Sequence, residues 1–177
     1  MSIPQRPKPA KLLIGLFMRE KHFLEEAIPE LSSQFGEIDL VSAWMTFDFT
    51  DYYEPEMGTP LGRRVLVFKE LIPQDSLAGI KTRTNKLEQK LSHADKRRIN
   101  IDPGYLLLER FVLASGKNFS HRIYIGEGIY ADLTLVYQKG AWQTLPWTYP
   151  DYADPRMLAF LYRVRHKYVW DLKQVKI

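Results

Sequence analysis

Lys11-Leu12-Leu13-Ile14-Gly15-Leu16-Phe17-Met18 opens the ordered part of the chain, and Arg19-Glu20-Lys21 closes it at once. A bilayer span needs about 20 apolar residues, and this run is far shorter. It also lacks the small-residue cleavage site of a secretory leader. It therefore reads as a buried strand. The polar, proline-rich residues before it, Met1 to Ala10, read as a flexible arm. Phe23, Ala27, Leu31 and Phe35 then recur every four residues, predicting a helix that Gly36 stops and Pro29 kinks. Ile38 to Phe47 predicts a second strand and Arg63 to Lys69 a third, separated by a polar and aromatic loop from Asp48 to Pro60. Asp75 or Ser76 can cap a second helix whose buried stripe is Leu77, Ile80, Thr84, Leu87 and Leu91. Arg98 to Ile101 reads as a short strand entering a turn at Asp102-Pro103-Gly104. The order βαββαβ predicts an α+β fold with a ferredoxin-like core.

Working toward the C-terminus, Leu106 to Ala114, Phe119 to Ile125 and Ile129 to Tyr137 read as further antiparallel strands, so the sheet is extended. Asp154 caps and Pro155 opens a C-terminal helix that buries Met157, Leu161, Val164 and Tyr168. The chain of 177 residues carries no repeat or linker and reads as one domain. It has no cysteine, which removes disulfides, thiolate nucleophiles and cysteine-ligated zinc. That composition fits a reducing, cytoplasmic setting, and no stretch is apolar enough to suggest a membrane partner. The net charge of +4 is modest for a dedicated nucleic-acid binder. The basic residues gather in two helical segments, one from Lys81 to Arg98 and one from Arg156 to Lys167, where solvated helix faces are the plain explanation.

Four concentrations of polar residues could carry chemistry. A three-residue loop at Gly126 to Gly128 would pair Ile125 with Ile129, and behind it Tyr124 with Tyr130, Arg122 with Asp132 and Ser120 with Thr134. These side chains then form a polar, aromatic outer face, while His121, Phe119, Ile123 and their neighbours face the core. The face is either an ordinary exposed ion pair beside two tyrosines or one wall of a ligand site. In the loop after the second strand, Asp48, Asp51 and Glu56 could hold a hard cation such as Mg²⁺, and Tyr52 could stack on a ligand, although the spacing matches no fixed metal motif. Asp102 sits in the expected turn, and together with Lys117 and Arg122 it would make a charge-balanced phosphate pocket if the fold brought the three together. Leu145 to Tyr152 is an aromatic, proline-stiffened loop that could stack on a base or simply pack over the sheet.

The phosphate loop G-x-x-x-x-G-K-[ST], the dinucleotide G-x-G-x-x-G, the nucleophile elbow and H-E-x-x-H are all absent. Asn85-Lys86-Leu87-Glu88 shares two residues with the guanine-reading N-K-x-D, but it falls inside an expected helix and reads as coincidence. The motifs Asp48-Phe49-Thr50-Asp51-Tyr52-Tyr53, Asn100-Ile101-Asp102-Pro103-Gly104-Tyr105, Ser120-His121-Arg122-Ile123-Tyr124 and Leu145 to Tyr152 together resemble an uncharacterised bacterial family known only as a domain of unknown function. The likeness runs from Lys11 to Tyr168. Members are sometimes labelled GTP-binding, which is all that the resemblance implies about function, and it brings no catalytic residues.

Three functions compete. The first is a site for a nucleotide or other phosphorylated small molecule, with Lys117 and Arg122 on phosphate, Asp48, Asp51 or Asp102 on hydroxyls or Mg²⁺, and tyrosines stacking. The second is a non-enzymatic module that binds RNA or protein through its basic helices or open sheet face. The third is a metal-assisted hydrolase built on Asp48, Asp51, Asp102 and His121.

Overall fold

The computed structural model describes residues 1–94 and 96–174. Its first strand, β1 (Ala10–Met18), is buried along its whole length, because both of its faces are covered. Leu12, Ile14, Leu16 and Met18 pack under two helices, α1 (His22–Phe35) and α3 (Leu77–Lys90). On the other side, Leu13 lies in the core under α5 (Pro155–Gln174), and Phe17 lies in a small cluster with Phe47, Met57 and Leu61. The period-two alternation of one strand thus feeds two cores.

Around β1 the chain lays down β2 (Ile38–Val41), β3 (Met45–Phe47), the short helix α2 (Glu54–Met57) and β4 (Leu61–Ile72) before α3. After α3 come β5 (Ile99–Leu106), β6 (Arg110–Ser115), β7 (Arg122–Gly126), β8 (Ile129–Gln138), β9 (Ala141–Thr144), the short helix α4 (Pro150–Ala153) and α5. Among the described residues these strands make one nine-stranded sheet in the order β2-β4-β1-β5-β6-β8-β7, with β3 on β4 and β9 on β8. Every pairing is antiparallel. The fold is therefore α+β, a large antiparallel sheet with C-terminal helices, as its sequence implies.

Several expectations change. The α1 helix ends at Gly36 as expected, but it runs through Pro29 as one element. The second expected strand is split into β2 and β3, because Ser42 bonds Val65 through its backbone N–H and also accepts the Val65 N–H on its hydroxyl. Neither Asp75 nor Ser76 caps α3 with its side chain; a 3-10 turn at Gln74–Ser76 leads in, and the Ser76 hydroxyl donates to Pro73. The largest correction concerns Asp102-Pro103-Gly104, which is no turn: β5 passes straight through it. Pro103 lies opposite Ile14 at a point where β6 is not yet paired with β5, so the missing N–H falls at a free edge. Gly104 is needed where β6 comes close, since a Cβ there would lie 2.5 Å from the carbonyl oxygen of Val112. The turn comes later, between Leu106 and Arg110.

Buried charge ties the layers together. Lys11 is fully buried on β1 and donates to Asp39, to Asp171 of α5 and to the carbonyl of Lys69. An ammonium buried here is tolerated because each of its three donors is satisfied.

Candidate functional site

The hairpin between β7 and β8 turns on two residues, Glu127 and Gly128, both at positive φ, the geometry of a type I′ turn. Gly126 therefore pairs with Ile129, where the expected three-residue loop would have paired Ile125. A register irregularity between Tyr124 and Gly126 restores the pairs behind it, Tyr124 with Tyr130 and Arg122 with Asp132. Ser120 lies before the strand, so it has no partner in it. Around Asp132 the two faces are the reverse of expectation, whereas Tyr124 is exposed and Leu135 buried as expected. Phe119 and Ile123, placed in the core by alternation, are 64% and 71% exposed, whereas Asp132 is 1% exposed.

The cause is the segment from Leu145 to Tyr152, which docks over that face. β7 covers Ile129 to Asp132 of β8 and β9 covers Leu135 to Gln138, leaving the carbonyls of Leu133 and Thr134 free. Trp147 Nε1 donates to Leu133 and the Thr148 hydroxyl to Thr134. Trp147 also stacks on His121, with centroids 4.9 Å apart. His121, expected to point into the core, instead sets Nε2 3.2 Å from Asp132 Oδ2. The same oxygen accepts from Arg122 Nε at 2.8 Å. Arg122 spends its remaining reach on the Ser115 hydroxyl, the Lys117 carbonyl and the Tyr149 hydroxyl. It is a clamp that fixes the loop walls, with little left to offer a phosphate.

Beside this clamp lies a cavity of about 640 Å³. One wall is aromatic, with Phe17 stacked on Phe47 at 4.4 Å and Phe49, Tyr52 and Tyr53 beyond them. Burial pushes the Tyr53 hydroxyl up to about 12, so it stays protonated. The opposite wall comes from α3, β5, β6 and the docked segment. Here Gly15 leaves room for the Arg63 guanidinium, which a Cβ would meet at 2.9 Å. Arg63 is paired with Asp151 and lies over the ring of Tyr152.

On the edge away from β1, β5 has no neighbouring strand at Ile101, and α3 supplies the missing partners. The Ile101 N–H donates to Glu88 at 2.5 Å, and Lys81 Nζ donates to the Ile101 carbonyl at 2.9 Å. Lys81 continues to Asp102 Oδ1 at 3.1 Å, Asn100 donates to Asp102 Oδ2 at 2.6 Å, and Arg97 donates to Asn100 and bidentately to Glu56. That hydrogen bond from Arg97 holds the Glu56 carboxyl below its ordinary range. Burial, reinforced by Asp102, pushes Glu88 up to about 7 against the opposing pull of Lys81 and Arg97. Lys81, expected on a solvated helix face, is thus buried in the wall. Much of the remaining charge of that segment is also spent internally, Lys90 on Glu30 and Arg98 on Glu26.

Of the expected site residues, Tyr52, Asp102, Lys117 and Asp132 line this cavity, and Arg122 abuts it through Asp132. Asp48, Asp51, Tyr124 and Tyr130 lie outside its lining. Tyr124 instead packs edge-on against Tyr130 at 5.4 Å. Among the described residues, no three His, Asp or Glu side chains come together as a metal site, and Glu56 is paired with Arg97. Arg63, Asp151, Glu88 and Asn85 were not singled out as site residues from the sequence. Asn85 and Glu88, set aside there as a chance motif, sit one helical turn apart on the cavity wall.

The charges in the lining nearly cancel in pairs. Arg63 is matched by Asp151, Lys81 by Asp102, Arg97 by Glu56, and Asp132 by Arg122. Among the described residues two lining groups form no salt bridge, Lys117 and Glu88. Exposed Lys117 donates to the Tyr52 hydroxyl at 3.1 Å and lies over that ring at 4.4 Å, which draws the Tyr52 hydroxyl below its ordinary value.

No curated protein and no solved structure matches the chain. A family model described as Domain of unknown function (DUF4416) matches residues 8–168, a span that takes in the sheet, both cores and every wall of the cavity. The chain belongs to that family.

Proposed function

We propose that the cavity binds a nucleotide or another phosphorylated small molecule. One observation carries this reading: Lys117 is the lining cation with no carboxylate partner among the described residues, and it stands at an aromatic-walled cavity of about 640 Å³. Small-molecule sites commonly occupy about 300–1,000 Å³ and combine apolar walls with a few convergent polar groups. The phosphate meets the Lys117 ammonium, a flat or hydrophobic part lies against Tyr52 and Phe49, and Asp102 keeps lone pairs for a ligand hydroxyl. Arg122 acts from behind by holding Lys117 and Tyr149 in place. This reading places the protein in the cytoplasm, among phosphorylated metabolites, and it takes the order β2-β4-β1-β5 as a ferredoxin-like half to which the remaining strands were added.

A thermal-shift panel of nucleoside phosphates and sugar phosphates, with and without Mg²⁺, tests it. A ligand at 100 times its Kd adds about 2.7 kcal/mol of stability. That shift should shrink with added salt and vanish in Lys117→Ala. Silence across the panel, or an unchanged shift in the variant, refutes the reading.

A further inference from the structure

The paired charges in the wall leave a pattern with direction. Four ion pairs cancel inside or just behind the lining, and the groups left over are one cation and one carboxyl. The cation, Lys117, is exposed on the loop after β6, whereas the carboxyl, Glu88, is 8% exposed on α3. One Glu88 oxygen accepts the Ile101 N–H, and the other has no hydrogen-bond partner among the described residues. That oxygen is not sealed in the protein interior, because Glu88 lines the cavity and is not among the buried side chains left without a partner. Beside it, the Asn85 amide also lines the cavity without a hydrogen bond among the described residues.

A largely buried carboxyl oxygen that accepts no hydrogen bond from the protein is costly unless something supplies a donor. Building on the reading above, we infer that the far end of the ligand carries an amine that donates to Glu88, so that the site takes a phosphorylated amine, with phosphate at Lys117 and nitrogen at Glu88. A second anionic group at that end would face the one carboxyl in the lining without a salt bridge, Glu88, and be repelled. An amine is matched by Glu88 and by the Asn85 carbonyl oxygen.

Two probe pairs differ mainly at the amine: adenosine 5′-monophosphate against purine riboside 5′-monophosphate, and glucosamine 6-phosphate against glucose 6-phosphate. Calorimetric titration of the wild-type protein should show at least one amine-bearing member bound about tenfold or more tightly than its partner, the effect of a hydrogen bond to a charged group. Glu88→Gln should bring that ratio close to one. Gln keeps an oxygen for the Ile101 N–H, so α3 stays docked on β5, and the wild-type ratio needs no variant at all. Equal binding within both pairs, or a preference that survives in Glu88→Gln, overturns the amine assignment and leaves the phosphate reading standing. Binding of no member overturns both.

Discussion

Asp132→Asn is the substitution that best separates the structure from the plain reading of a strand pair. On an exposed hairpin, Arg122 and Asp132 would be worth at most about 1 kcal/mol. Here the Asp132 side chain is 1% exposed and that of Arg122 5%. One carboxylate oxygen takes both Arg122 Nε and His121 Nε2, while the Thr134 hydroxyl donates to the other at 3.3 Å. Asn keeps the shape but removes the charge, leaving a buried guanidinium without its counter-ion. Removing one partner of a buried pair costs about 3–5 kcal/mol. For a chain of 177 residues this lowers Tm by roughly 6–20 °C. Urea denaturation followed by circular dichroism, with an unchanged m-value, gives the number directly. Arg122→Met in the Asp132→Asn background should recover part of the loss, because it removes the orphaned charge. A loss below about 1 kcal/mol for Asp132→Asn would put the pair in the exposed class and refute the claim that the docked Leu145 to Tyr152 segment buries it.

Two more substitutions probe β5 and the cavity wall. Gly104→Ala places a Cβ 2.5 Å from a backbone oxygen of β6 that cannot swing aside, and a destabilisation of about 1–3 kcal/mol or more is expected; a neutral result by thermal melting would mean that β5 and β6 do not approach here. The Glu88 carboxyl is raised from 4.5 to about 7 by burial. The native protein thus holds a proton that the unfolded chain has released in that window, and stability must fall as pH rises through it. Glu88→Gln lacks this term, so its stability relative to the wild type should climb by about 3 kcal/mol between pH 4.5 and 8; parallel stability curves for the two proteins would contradict the burial of Glu88.

Much of the scaffold was legible because it is written in short-range periodicity. The four-residue spacing of Phe23, Ala27, Leu31 and Phe35, the stripe from Leu77 to Leu91, and the Asp154-Pro155 start of the last helix all appear where they were expected. Asp154 indeed accepts the N–H of Arg156. The Arg122 to Asp132 pair also appears as expected, but by another route: the turn is one residue shorter than expected, and an irregularity between Tyr124 and Gly126 restores the register. Asp102-Pro103-Gly104 misled because Pro and Gly are turn residues by local propensity. Here a free edge accommodates Pro103, and the closeness of β6 requires Gly104. Lys81 and Glu88 looked like an ordinary polar helix face, with no local sign that β5 would lack a second neighbour at Ile101 and need their help.

Alternation along β7 and β8 divides the hairpin into two sets of side chains without saying which set meets water. That choice was made by Trp147 and Thr148, more than a dozen residues along the chain, whose side chains found the two free carbonyls of β8 and covered Asp132. Strand and helix follow from interactions between neighbours a few residues apart, which any window of sequence contains. A cavity follows from long-range closure, in which segments as distant as Tyr52 and Lys117 satisfy polar groups that no local pattern announces.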